Sequence, residues 1–218
     1  MATKSKTQQI LPFFSQLSAV APAILLFLLP AISAVDPTNS TSNATDFIRT
    51  SCNATLYPDL CYTSLSGYSN AVQQNPGQLA RVAIRISLSK AHQMTSYISN
   101  ITNQTHFGSD PKTIAALHDC HSTFNDAVYQ IKRSLKQMFH LNHGGGSFRF
   151  LMSNVQTWMS AALTNEETCT DGFELAPNGP MKSDVCNQAL IAKKFASNAL
   201  ALVNSFAAKR CTKTIESP

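Results

Sequence analysis

Glycine and tryptophan are scarce, with eight Gly and one Trp in 218 residues. That is too little glycine for a collagen repeat and argues against an all-β chain with its many tight turns. Charge is scarce too: Asp, Glu, Lys and Arg make up 13% of the chain, about half the usual share. Ser, Thr and Asn fill the gap, a composition suited to a secreted, glycosylated surface. The basic excess is small, 17 Lys and Arg against 12 Asp and Glu, which excludes a dedicated nucleic-acid binder. No Gly-x-Ser-x-Gly occurs. The Gly144-Gly145-Gly146 triplet is followed by no Gly-Lys-Ser/Thr and preceded by no strand pattern, so it reads as a turn and not a phosphate cradle. No stretch of about 20 unbroken apolar residues, the length a membrane span needs, is found.

What is present begins with an export signal. Met1 to Gln9 holds Lys4 and Lys6 and no acid, an apolar stretch peaks over 19–29, and Pro30-Ala31-Ile32-Ser33-Ala34 closes it. This is the layout of a secretory signal peptide over residues 1–34. Pro12, Pro22 and Pro30, with Ser15, Gln16 and Ser18, argue against a retained anchor. Removal would leave 184 residues with 15 basic and 12 acidic side chains and no membrane segment. Five Asn-x-Ser/Thr sites follow, at Asn39, Asn43, Asn53, Asn100 and Asn103, and together with the signal they predict a glycoprotein. Residues 35–46 show no apolar periodicity and are expected to be a flexible leader into a domain at 47–211.

Within that domain four segments carry the 3-4 spacing of a buried helical stripe. The first, from about Gly77 to Gln104, has Ala80, Ile84, Ser87, Ala91, Met94, Ile98 and Ile101; Asn75 is its candidate cap, with Pro76 in first position. The second follows Asp110-Pro111 to about His140, with Ile114, Leu117, His121, Phe124, Val128, Ile131, Leu135 and Met138. Ser147 can cap the third, with Phe148, Leu151, Val155, Trp158 and Ala162. The fourth, from about Lys182 to Lys209, has Val185, Ala189, Ala192, Ala196, Ala199, Val203 and Phe206. No run alternates with period two. An all-α, antiparallel four-helix bundle follows, with rods about 42 Å long at about 1.5 Å per residue.

Secretion favours disulfides. Cys52 and Cys61 flank Asn53 to Leu60, and Pro58 interrupts any helix through them, so a short N-terminal helical hairpin stapled by Cys52–Cys61 fits. If the second and third rods fold back at 141–147, Cys120 lies 21 residues before the turn and Cys169 lies 22 after it. Equal arms put the two at one height, which predicts a Cys120–Cys169 bridge. Cys186 and Cys211 are 25 residues apart on what reads as one helix, too far to pair, so one or both are expected free or paired between chains.

Catalytic and metal constellations are not found. Glu166 and Glu167 are neighbours near a helix end, not two carboxylates facing across a cleft. His118 with His121 and His140 with His143 are i, i+3 pairs about 20 residues apart along one rod, so they cannot converge on a metal. No cofactor is expected. Lys132, Arg133 and Lys136, with Arg81 and Arg85, make basic patches that read first as solvated faces and second as a weak surface for acidic polysaccharide such as pectin.

The sequence resembles the plant invertase and pectin methylesterase inhibitor family, which includes proteins called 21 kDa protein-like, over about Phe47 to Phe206. The resemblance is carried by Cys52-x8-Cys61 with Tyr57-Pro58-Asp59-Leu60-Cys61, by Asp110-Pro111-Lys112 followed by Ala115-Ala116-Leu117-x-Asp119-Cys120, by Trp158-Met159-Ser160-Ala161-Ala162-Leu163-Thr164, by Thr168-Cys169-Thr170-Asp171-Gly172-Phe173, and by Ser197-Asn198-Ala199-Leu200-Ala201-Leu202-Val203. It implies a four-helix bundle with an N-terminal hairpin and two disulfides, and a non-enzymatic inhibitor that binds a plant cell-wall enzyme one to one and blocks its active-site cleft in the apoplast. Family members that inhibit invertase use a Pro-Lys-Phe element. The corresponding Pro111-Lys112-Thr113 lacks the aromatic, which leans towards pectin methylesterase. Polar and acidic positions after the third cysteine are implied to touch the enzyme, here Ser122, Asp126 and Tyr129, with Lys112 and Thr113 beside them. The domain also occurs ahead of a methylesterase; a chain ending at Pro218 is expected to act alone. A beta-fructofuranosidase (invertase) inhibitor of the same fold and a non-inhibitory, pectin-binding wall protein are the alternatives.

Overall fold

The structure is a computed structural model that describes residues 37–104, 110–141 and 147–215, with side chains described from Asn43 to Arg210 within those ranges. The expected signal peptide, the Gly144 triplet and the side chains of Asn39 and Cys211 lie outside the described residues. Among the described residues there are seven helices, α1 (Pro37–Cys52), α2 (Pro58–Leu65), α3 (Ser69–Val72), α4 (Pro76–Gln104), α5 (Pro111–His140), α6 (Phe148–Gly172) and α7 (Pro180–Ile215), with a 3-10 turn at Ser66–Tyr68 between α2 and α3. Among the described residues there is no strand.

Proline opens five of the seven helices. At the first helical position its fixed φ suits the helix and its missing N–H would have had no partner. Side-chain caps complete three of the long rods. Asn75 Oδ1 accepts from the backbone N–H groups of Gly77 and Gln78. Asp110 Oδ2 accepts from Thr113 N–H at 3.1 Å, and Ser147 Oγ from Phe150 N–H. Each such cap is worth about 1 kcal/mol.

Rods α4 to α7 form the antiparallel bundle that the four stripes imply. On α4 the buried positions include Ala80, Ile84, Ser87, Ala91, Met94 and Ile98, and on α7 they include Val185, Ala189, Ala192, Ala196, Ala199 and Val203, as periodicity expects. The 3-4 alternation is the narrow seam of shallow-angle packing. Small α7 residues let that rod approach α4 closely, and Phe206 sits with its ring 3.0 Å from where a Cβ on Gly77 would lie.

The other two rods depart from expectation at several positions: Ile114, His121 and Leu135 on α5 and Phe148 and Trp158 on α6 are half-buried. Ser134, not Leu135, is fully buried on α5, and Met159, not Trp158, on α6. Ser134 Oγ donates to Gln130 O at 3.1 Å along its own helix, so its hydroxyl is satisfied inside the core. Trp158 is half-buried and lies under the Arg133 guanidinium, 4.2 Å from its ring centroid. An indole with one polar N–H and a cation for company is better served at the rim than in a dry seam.

The segment expected as a flexible leader is helical from Pro37. Ala44, Ile48 and Cys52 of α1 are buried in series, a one-sided stripe too sparse to register between so many Ser, Thr and Asn residues. Cys52 and Cys61 are bonded, with Cα atoms 5.5 Å apart, which folds α2 back on α1. Buried Asn198 on α7 anchors the hairpin: its Nδ2 donates to Tyr57 O at 2.9 Å and its Oδ1 accepts from Tyr57 N–H at 3.1 Å. Between α3 and α4 the chain reverses through Gln73 and Gln74, both left-handed at φ 45° and 57°, which costs a non-glycine residue about 1 kcal/mol or more each.

Candidate functional site

Helix α5 presents one continuous outward row. Lys112, Ala115, Asp119, Ser122, Asp126, Tyr129 and Arg133 follow one another at 3-4 spacing and all are exposed, on the side of the rod opposite Leu117, Cys120, Phe124 and Ile131. From Lys112 to Arg133 the row runs about 32 Å at about 1.5 Å per residue. Four of the five residues marked for partner contact therefore share a face: Lys112, Ser122, Asp126 and Tyr129. Thr113 does not. It turns inward, half-buried, with its N–H and hydroxyl both directed to Asp110 Oδ2, because the helix start requires it as a capping partner.

Two things hold the row rigid. Cys120, one position inside it, is bonded to Cys169 with Cα atoms 4.1 Å apart, so α5 and α6 are joined beside Ser122. Further along, Asn165 Nδ2 of α6 donates to Gln130 Oε1 at 3.0 Å. The Arg133 guanidinium lies 5.6 Å from the Tyr129 ring centroid as well as over Trp158. Tyr129, 60% exposed, is thus a large, preordered aromatic at the surface. Tyr, Trp and Arg together are the residue types that anchor protein interfaces. Sequence reasoning marked Tyr129 but put Trp158 in the core; its one-residue offset from Met159 was the missed signal.

Among the described residues no group of three His, Cys, Asp or Glu side chains could hold a metal, and no helix is long and apolar enough to cross a membrane. His118 is exposed and His121 half-buried, where its ring nitrogen lies 3.2 Å from Asn125 Nδ2. Cys186 is a half-buried free thiol on α7 whose pKa burial pushes up, the opposite of what a reactive cysteine needs. Asn43, Asn53, Asn100 and Asn103 are all exposed.

The core holds a carboxyl group among its unpartnered polar atoms, which also include Ser87 Oγ. Glu166 is completely buried, and neither carboxylate oxygen has a hydrogen-bond partner. Burial pushes its pKa up to about 8, against a smaller opposing effect of Lys193. The Lys193 ammonium pairs instead with neighbouring Glu167. Glu166 continues the α6 seam of Val155, Met159, Ala162 and Cys169 at 3-4 spacing, and that continuation up to the bonded cysteine was the signal in the sequence. Read only as one of two adjacent carboxylates near a helix end, it was not assigned to the core.

The described residues thus form an all-helical bundle stapled by two disulfides, with one exposed row along α5. The profile of the family described as plant invertase/pectin methylesterase inhibitor matches residues 46–202, and the chain belongs to that family, one of inhibitors and not of enzymes. It is 40% identical over 194 residues to the 21 kDa protein of Daucus carota, covering 88% of this chain and 96% of that one. It is 38% identical to Pectinesterase inhibitor 9 of Arabidopsis thaliana over 201 residues, covering 87% and 96%. Its fold is shared with the crystal structure of a mutant form of a pectin methylesterase inhibitor from Arabidopsis, at a TM-score of 0.58 and 22% identity, over 72% of this chain and 95% of that one.

Proposed function

We propose that this chain is a secreted inhibitor of a plant cell-wall pectin methylesterase, binding it one to one and covering its active-site cleft with the outward face of α5. The observation that carries the reading is the row Lys112, Ser122, Asp126 and Tyr129 on a rod fixed to its neighbour by Cys120–Cys169. A face already rigid before contact loses little conformational entropy on docking. Tyr129 supplies the aromatic anchor, and Asp119 and Asp126 supply negative charge that selects a basic rim on the partner. A standard enzyme–inhibitor interface buries about 1,600 Å² in total, which a helix face of this length with its α6 flank can provide. The names of the relatives favour pectin methylesterase over invertase, as does the missing aromatic at Thr113.

Purified mature protein titrated into a methylesterase and into an invertase tests this. The expected result is saturable loss of methylesterase activity with an end point near equimolar, and no effect on invertase. Inhibition of invertase alone would replace the target. Inhibition of neither, with retention on pectin, would leave a wall-binding protein in place of an inhibitor.

A further inference from the structure

Charge is segregated along the bundle. The antiparallel rods bring the first half of α4, the second half of α5, the first half of α6 and the second half of α7 to one end. Over 76–90, 127–140, 148–160 and 197–210 these carry nine Lys and Arg and not one Asp or Glu. The other end, over 91–104, 110–126, 161–176 and 180–196, carries eight carboxyl residues and four lysines. The Lys193–Glu167 ion pair lies in the acidic half.

The basic half is densest along the seam between α4 and α5. The Arg81 guanidinium lies 4.9 Å from the Phe139 ring centroid, with its Nε buried and unpartnered, which fixes the level of the two rods. Lys132 acts electrostatically on His92, adding to the burial that lowers the imidazole pKa, so Lys132 stands level with that part of α4. Arg85 lies between Arg81 and His92 on the same face of α4, and Lys136 lies between Lys132 and Phe139 on α5, both exposed. From Arg81 to His92 is about 16 Å at about 1.5 Å per residue. Four cations in that length with no carboxylate among them repel one another, a cost that an anionic ligand relieves.

We propose that the α4–α5 seam, with Arg81, Arg85, Lys132 and Lys136, binds a linear polysaccharide carrying a carboxylate on successive sugars, a polyuronate such as de-esterified pectin. A row of fixed cations matches a row of regularly spaced carboxylates. The ring of Phe139, half exposed, carries the Arg81 guanidinium at one end of the row. Methyl esterification removes the polymer's charge, so the seam distinguishes the product of a methylesterase from its substrate. The choice of polymer rests on the reading of the chain as a wall protein and inhibitor. The seam lies on the α4 side of the row containing Ser122, Asp126 and Tyr129.

The test measures binding of the mature protein to polygalacturonate by affinity electrophoresis, without any enzyme. Highly methyl-esterified pectin, a neutral glucan and anionic phospholipid vesicles serve as comparisons. Binding to polygalacturonate is expected at 50 mM salt, falling steeply as salt screens it, and at least about tenfold weaker to the esterified polymer. Arg85→Gln with Lys136→Gln should weaken it about tenfold. Lys182→Gln with Lys194→Gln, the same change in net charge made in the other half, should leave it within about twofold. Equal loss in both pairs, no binding to polygalacturonate, or equally tight binding to vesicles overturns the proposal. Methylesterase inhibition by the Arg85 and Lys136 variant, measured separately, should stay at the wild-type level. A chain that binds the polymer but inhibits nothing refutes the inhibitor reading alone.

Discussion

Glu166 makes the bundle's stability depend on pH in a direction opposite to that of most carboxylates. The folded chain keeps the Glu166 proton up to about pH 8, while an unfolded chain releases it near 4.5. Between those values the unfolded state binds fewer protons than the folded one, so stability falls as pH rises, by about 1.4 kcal/mol per unit at the steepest. The interval from 4.5 to about 8 corresponds to at most about 5 kcal/mol, a large part of the roughly 5–15 kcal/mol that holds a domain folded. Glu166→Gln removes the ionisation and keeps the shape. Urea unfolding of both proteins, followed by circular dichroism at intervals from pH 4.5 to 8.5, isolates the effect in the difference between them, because the rest of the chain is the same in both. The wild type should lose at least about 2–3 kcal/mol relative to Glu166→Gln across this range. The variant should be the more stable protein at pH 8. Parallel curves, or a wild type that gains stability towards pH 8, would refute the reasoning.

Other outcomes follow from the same geometry. Cys120→Ser with Cys169→Ser opens a loop closed by a bridge of sequence separation 49 and should cost about 3–4 kcal/mol in denaturant unfolding, with inhibition lost through the fold and not through a contact. Asp126→Lys and Tyr129→Ala should each raise the inhibition constant at least about tenfold while leaving Tm within about 2 °C, since both residues are exposed. Asn198→Ala leaves the Tyr57 amide without its partner, while the Tyr57 carbonyl keeps the Cys61 N–H, and should cost about 1–3 kcal/mol, seen as a lower urea midpoint. Gln74→Gly, at a left-handed position, should raise stability by up to about 1 kcal/mol in the same assay.

How much of this was legible in the sequence differs from rod to rod. The α4 and α7 stripes were readable except at their last positions, Ile101 and Phe206, which are half-buried, because small and aliphatic side chains alternate there with polar ones, and the caps at Asn75, Asp110 and Ser147 sit beside prolines or breaks. On α5 and α6 hydrophobicity misled. Leu135 and Trp158 outrank Ser134 and Met159 as core residues by composition, yet the seam's 3-4 spacing and the rods' close approach select the latter pair. Spacing outweighed polarity again at Glu166. In α1 the failure was the reverse: Ala44, Ile48 and Cys52 form a sound stripe, diluted below recognition by Ser, Thr and Asn. The outward row of α5 was half legible. Periodicity says which side chains face out and the equal arms give the Cys120–Cys169 bond, but the Arg133 stack on Tyr129 and Trp158 and the Asn165–Gln130 bond have no signature in the sequence.

The most direct test of the docking claim is site-specific cross-linking. A photoreactive phenylalanine analogue at position 129, on the α5 face, should give a covalent one-to-one adduct with pectin methylesterase. The same group at exposed position 187 on α7 should give none. An adduct from 187 and not from 129, or from neither while inhibition persists, would contradict the account.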